Sequence, residues 1–149
     1  MQVRIYSRDQ VVTRSQEGIL SNAAVICFYD INRGSMNLPL HIESYQVAMD
    51  GPELSLVEKF HLAGEIFFPE AEIIAHFVFY AKTAGLDIIC VCENGINTSA
   101  GCAAAIRQFF DRDGIEVFAN YVYSPNRLMY HKILDALIAE SFERGEVTL

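Results

Sequence analysis

The stretch from Ile88 to Phe110 constrains this chain more than any other. It opens with Ile88-Ile89-Cys90-Val91-Cys92, an unbroken apolar run of the kind that forms a strand buried on both faces. The run breaks into Glu93-Asn94-Gly95-Ile96-Asn97, a polar loop centred on a glycine. From Ser99 the composition turns small and helix-favouring, through Cys102, Ala103, Ala104, Ala105 and Ile106. Strand, tight loop and helix start together form a concave cup of backbone N–H groups, with the positive end of a helix dipole behind it. Such a cup suits an anion. A cysteine where the strand enters it would have its thiolate stabilised by the same donors.

Around this unit, short apolar runs alternate with helical patterns. Val3 to Tyr6 reads as a first strand, and Ser7 with Gln10 three residues on is a capping-box pattern for a helix to about Gln16, ended by Gly18. Ala23 to Tyr29 and Ser44 to Met49 read as the second and third strands, joined through a polar loop from Asp30 to Pro39. Asp50-Gly51-Pro52 then turns the chain into a helix with Leu54, Val57 and Leu62 on a partial apolar face. Phe68-Pro69-Glu70-Ala71-Glu72 starts a further helix whose expected buried stripe is Ile73, Ile74, Phe77, Val78 and Ala81, with Gly85 ending it. His76 lies off that stripe, where a surface pair with Glu72 is expected.

The helix after the central loop runs to about Phe110 and is stopped by Asp111-Arg112-Asp113-Gly114. Ile115 to Tyr123 fits an edge strand or an extended loop. Ser124-Pro125 begins a last helix with Leu128, Met129, Ile133, Leu134, Leu137 and Ile138 at helical spacing, and fraying is expected after Gly145. No repeat, low-complexity tract or linker divides the 149 residues, so one domain over 1–149 is expected. The expected architecture is α/β and three-layered, a mainly parallel central sheet of about four strands with helices on both faces. The central loop then lies at the carboxyl end of a strand, where ligands bind in such sheets.

Composition narrows the function. A formal net charge of -8 with no visible basic patch argues against nucleic acid and anionic membrane surfaces, and offers a phosphorylated substrate no long-range attraction. Met1 to Tyr6 lacks the apolar core of a signal peptide and no run reaches membrane-spanning length, so a cytoplasmic location is expected. Of the four cysteines, Cys27, Cys90 and Cys102 are expected to be buried, reduced thiols. His41, His61, His76 and His131 do not pair with cysteines at ligand spacings, so neither zinc nor another cofactor is expected.

The run Cys92 to Gly101 resembles the signature loop of the cysteine-dependent protein-tyrosine and dual-specificity phosphatases, which reads His-Cys, five residues, then Arg and Ser or Thr. Tyr123-Ser124-Pro125-Asn126 followed by a helix is similar to the Pro-Asn segment after the signature helix in small bacterial members. Ile5-Tyr6-Ser7-Arg8 and the run Ala24 to Asp30 are similar to their first two strands. The resemblance is strong from Leu86 to Leu137 and looser before that. It implies a cysteine-phosphatase-like fold with Cys92 as nucleophile. Ser99 would be the hydroxyl that hydrogen-bonds the thiolate and helps release the phosphocysteine, although it also fits an N-cap serine. Glu93, Asn94, Gly95, Ile96, Asn97 and Thr98 would surround a bound phosphate, with Asn126 and Arg127 in support. The family's general acid is an aspartate upstream of the cysteine. Asp50 stands in the best corresponding place and Asp30 is a second candidate, while both also read as turn aspartates.

Two positions depart from the family pattern. Its arginine falls on Thr98 and its histidine on Val91. One uncharged hydroxyl cannot replace a planar five-donor fork, and loss of even one preorganised donor at such a site costs ~10²–10³ in rate. Arg107 lies roughly 13 Å down the helix axis from position 98, pointing away from the cup. Arg127, beside the Pro-Asn segment, is better placed as a substitute, and it also reads as a solvated first-turn residue. The resemblance therefore implies a pseudophosphatase that binds a phosphorylated small molecule, a phosphoprotein or another small anion at Cys92–Ser99. The alternatives are an enzyme still using Cys92, as a phosphatase or another thiol hydrolase, and a purely structural or interaction domain.

Overall fold

A computed structural model describes residues 1–18, 20–48 and 68–145. Its strands are β1 (Val3–Ser7), β2 (Ala23–Phe28), β3 (Glu43–Val47) and β4 (Asp87–Cys92). Its helices are α1 (Arg8–Gln16), α2 (Glu70–Thr83), α3 (Thr98–Asp111), α4 (Ile115–Ala119) and α5 (Arg127–Glu143). The expected turn and helix around Asp50, Pro52, Leu54, Val57 and Leu62 lie outside the described residues, as does Met49.

The strands form one parallel sheet in the order β1-β4-β2-β3. The two inner strands are the ones without polar alternation: every residue of β2 and all of β4 after Asp87 is buried. Helices on both faces remove any position where a polar side chain could meet water. Because side chains alternate along a strand, Ile88, Cys90 and Cys92 enter the larger core with α2, α3 and α5, against Ile74, Val78, Ile106, Met129 and Ile133. Ile89 and Val91 enter a smaller core on the opposite face with Val11 of α1, Leu20, Val25 and Met36. This alternation aims Cys92 at α3.

Local signals set most element ends. The capping box at α1 is present: Ser7 Oγ accepts the Gln10 N–H at 3.2 Å and Gln10 Oε1 accepts the Ser7 N–H at 2.8 Å. Acidic Glu70 and Glu72 occupy the first turn of α2. Four expectations are corrected by long-range packing. Ile73 is 51% exposed and Phe79 is buried instead, because Phe109 and Phe110 of α3 meet the Phe79 ring edge-on at 5.7 and 5.6 Å and turn α2 toward them. His76 Nδ1 pairs with Glu140 of α5 at 3.1 Å. Ile115–Ala119 is a short helix, its Val117 seated on Ala100 and Ala104 of α3, and Ile138 of α5 reaches the surface. Among the described residues no helix is long and apolar enough to cross a membrane.

Candidate functional site

Cys92 ends β4 and Ser99 lies in the first turn of α3, and the loop between them folds both inward. Cys92 Sγ and Ser99 Oγ are 3.0 Å apart, and neither residue has any exposed surface. The helix cap is Asn97 rather than Ser99, which leaves the serine hydroxyl facing the sulfur. Asn94 closes the other side. Its Oδ1 accepts the Ile96 N–H at 2.9 Å and the Cys92 S–H at 3.4 Å. The Ile96 N–H determines which atom of the Asn94 amide points inward. The atom over the sulfur is therefore an acceptor, and the contact requires the proton on Cys92.

Gly95 makes the loop shape possible. Its φ is +69°, and a Cβ there would stand 2.6 Å from Ser7 N and 2.9 Å from Tyr6 C, so the loop rests directly on the backbone at the end of β1. On the far side, Asn97 Nδ2 donates to Ser124 O at 2.7 Å, and Asn126 Nδ2 donates to Asn97 Oδ1 at 3.1 Å. Ser124 N–H donates to Ile96 O at 3.0 Å and Asn126 N–H to Asn97 O at 3.0 Å. Asn126 Oδ1 meanwhile caps α5 through the Met129 N–H at 2.9 Å. Gly101 passes so close to the Asn126 carbonyl that a Cβ would collide with it. The Pro-Asn segment thus holds the loop by direct hydrogen bonds.

Glu93 turns away from the cup. Arg8 Nη1 donates to its Oε2 at 2.9 Å, the Asp30 N–H to the same oxygen at 3.0 Å, and Arg33 Nη1 to its Oε1 at 2.6 Å. Arg8 also donates to the carbonyls of Gly34 at 3.0 Å and Ser35 at 3.1 Å, tying that loop down. Neither arginine is marked by any motif of the loop itself. For Arg8 alone a signal exists in β-pairing: Ser7 is opposite Cys92 in the β1–β4 register, so Arg8 follows Ser7 just as Glu93 follows Cys92.

The remaining sequence-predicted residues are placed as follows. Thr98 is only 1% exposed, buried at the first position of α3. Asn126 is buried against the loop, whereas Arg127 is exposed at the start of α5. Asp50 lies outside the described residues. Asp30 Oδ1 accepts the Asn32 N–H at 2.9 Å, a turn arrangement. Arg107 is bound to Asp113 at 3.1 and 2.8 Å and to Glu116 at 2.6 Å. Cys27, Cys90 and Cys102 are buried free thiols. Burial and, to a lesser degree, neighbouring Cys90 push the Cys27 thiol up to about 12, with Arg8 opposing. A hydrogen bond with Cys102, followed by burial, raises Cys90 as well. A cavity of about 330 Å³ lies away from Cys92, between β1 and α4, lined by Arg4, Tyr6, Arg107, Glu116 and Tyr123 among others.

No protein-family model matches this sequence, and no curated protein matches it by sequence. Solved structures do. Human DUSP28 superposes with a TM-score of 0.56 at 13% identity, over 95% of this chain and 94% of its own. PTPMT1 in complex with PI(5)P gives 0.53 at 12% identity, over 97% of this chain and 91% of its own. A leucine-rich repeat and phosphatase domain containing protein from Entamoeba histolytica gives 0.50 at 7% identity, over 97% and 91%. At such identities the likeness shows the fold, and that fold is the dual-specificity phosphatase-like α/β architecture the sequence led us to expect.

Proposed function

We propose that this phosphatase-like domain is a non-catalytic binder of a phosphate group or similar small anion at the loop Cys92–Ser99. The observation carrying this reading is the enclosure of Cys92 Sγ between Asn94 Oδ1 and Ser99 Oγ, with no surface exposed. A cysteine nucleophile needs an unprotonated sulfur with an open line to phosphorus. Here the sulfur faces a carbonyl oxygen, which an anionic sulfur would repel. Thr98, buried where the resembling family carries its arginine, supplies no charge to the transition state.

Binding needs less than catalysis does. The Asn94 oxygen already sits as a stand-in acceptor on the Ile96 N–H, and a phosphate oxygen entering as the Asn94 side chain swings out would take the same donor at the N-terminus of α3. A second reading, catalysis by Cys92, draws support from the retained Cys92–Ser99 contact. One experiment separates them. Hydrolysis of an aryl phosphate is measured for wild type and Cys92→Ser, and inorganic phosphate is titrated against ¹⁵N-labelled protein. The expected result is equal background hydrolysis by both proteins, with saturable shifts of the Gly95, Ile96 and Asn97 amides. Turnover that disappears in Cys92→Ser would overturn the proposal, and so would loop amides that never move.

A further inference from the structure

The Glu93 carboxylate sits where hydrogen-bond donors from three separate positions of the chain meet. Two guanidinium groups from distant parts of the chain and a backbone N–H converge on it, from Arg8, Arg33 and Asp30. The site is built into the fold on one side and open on the other. The side chains of Arg8 and Glu93 are 15% and 17% exposed, whereas that of Arg33 is 55% exposed. Arg8 is further fixed by the Gly34 and Ser35 carbonyls, so its guanidinium is held in place whether or not Glu93 is present.

We propose that Arg8, Arg33 and the Asp30 N–H form a second phosphate-binding subsite beside the loop, which Glu93 fills in the free protein and yields to a phosphate monoester group. The stoichiometry of donors and acceptors supports this ligand class. Among the described residues, Arg8, Arg33 and Asp30 donate to the two Glu93 oxygens, Oε2 accepting from both Arg8 and Asp30. A phosphate monoester has three terminal oxygens, one for each donor, and carries close to two negative charges rather than one. Exchange costs little on the Arg33 side, because a half-exposed ion pair adds little net stability. The subsite is also a local positive spot on a chain of net charge -8, where an anionic ligand otherwise finds repulsion. Glu93 thereby acts as an internal competitor that sets the affinity threshold for the ligand.

This subsite is distinct from the cup over Cys92, so the two readings fail separately. Phosphate in the cup is read at the Gly95–Asn97 amides, and phosphate in the subsite at the Asp30 amide and the Arg33 Nε–H. The test is an NMR titration with inorganic phosphate of wild type, Glu93→Gln and Glu93→Gln/Arg33→Ala, with acetate as a monoanion control. Glutamine keeps the shape and one acceptor oxygen of Glu93, so the loop retains its anchorage. The expected result is phosphate-dependent movement of Asp30 and Arg33 in wild type, at least about tenfold tighter binding in Glu93→Gln, and loss of that gain in the double variant, with acetate much weaker throughout. The proposal is overturned if Glu93→Gln binds phosphate no more tightly than wild type, if the double variant keeps the gain, or if only the loop amides respond.

Discussion

Replacing Gly95 with alanine tests the argument that the loop is shaped by its contact with β1. The residue has φ +69°, a left-handed conformation that costs a non-glycine residue ~1–2 kcal/mol. The added Cβ would also stand 2.6 Å from Ser7 N and 2.9 Å from Tyr6 C, backbone atoms of a paired strand that cannot rotate aside. Relieving such an overlap by moving the loop or β1 should cost ~1–3 kcal/mol more. The total is ~2–5 kcal/mol, which for a domain of this size lowers Tm by roughly 5–20 °C. Gly85 supplies the control, with φ +73° and no atom within 4 Å of a built Cβ. Gly85→Ala should therefore lose only the conformational cost, ~1–2 kcal/mol. Urea unfolding followed by far-UV circular dichroism measures both variants. Equal losses in Gly95→Ala and Gly85→Ala would refute the contact argument, because strain would then be the whole effect.

Asn126→Ala removes the cap of α5 and strands the Asn97 oxygen it donates to, so a loss of ~2–3 kcal/mol is expected in the same assay. A loss below ~1 kcal/mol would mean that water replaces both bonds freely. Stability at acid pH reports on Glu140. Burial pushes its carboxyl up, but Arg144 at 2.8 Å and His76 at 3.1 Å outweigh that and hold it below the usual carboxylate range. A lowered folded-state value gives stability that is present above about pH 4.5 and lost as pH falls through the folded value. The advantage of wild type over Glu140→Gln should therefore shrink between about pH 5 and pH 3, and an advantage constant across that range would contradict the assignment.

Much of this protein is determined by neighbours in sequence. The apolar run ending at Cys92, the glycine loop and the small-residue helix specify a buried strand feeding a helix, because each signal acts within a few residues. Ser7 and Gln10 specify the start of α1 for the same reason. The pairing of Cys92 with Ser99 was legible through the resemblance of the loop. Other features depend on which segments meet. His76 takes Glu140 rather than Glu72, because α2 packs on α5. Val117 sits in a helix rather than a strand, because the alanines of α3 leave a seat for it. Glu93 gathers Arg8 from the start of α1 and Arg33 from the loop after β2 only once β1 and β2 both lie beside β4. Secondary structure follows from local backbone and side-chain preferences. The electrostatics of the loop follow from contacts spanning 60 residues and more, which only the assembled sheet can bring together.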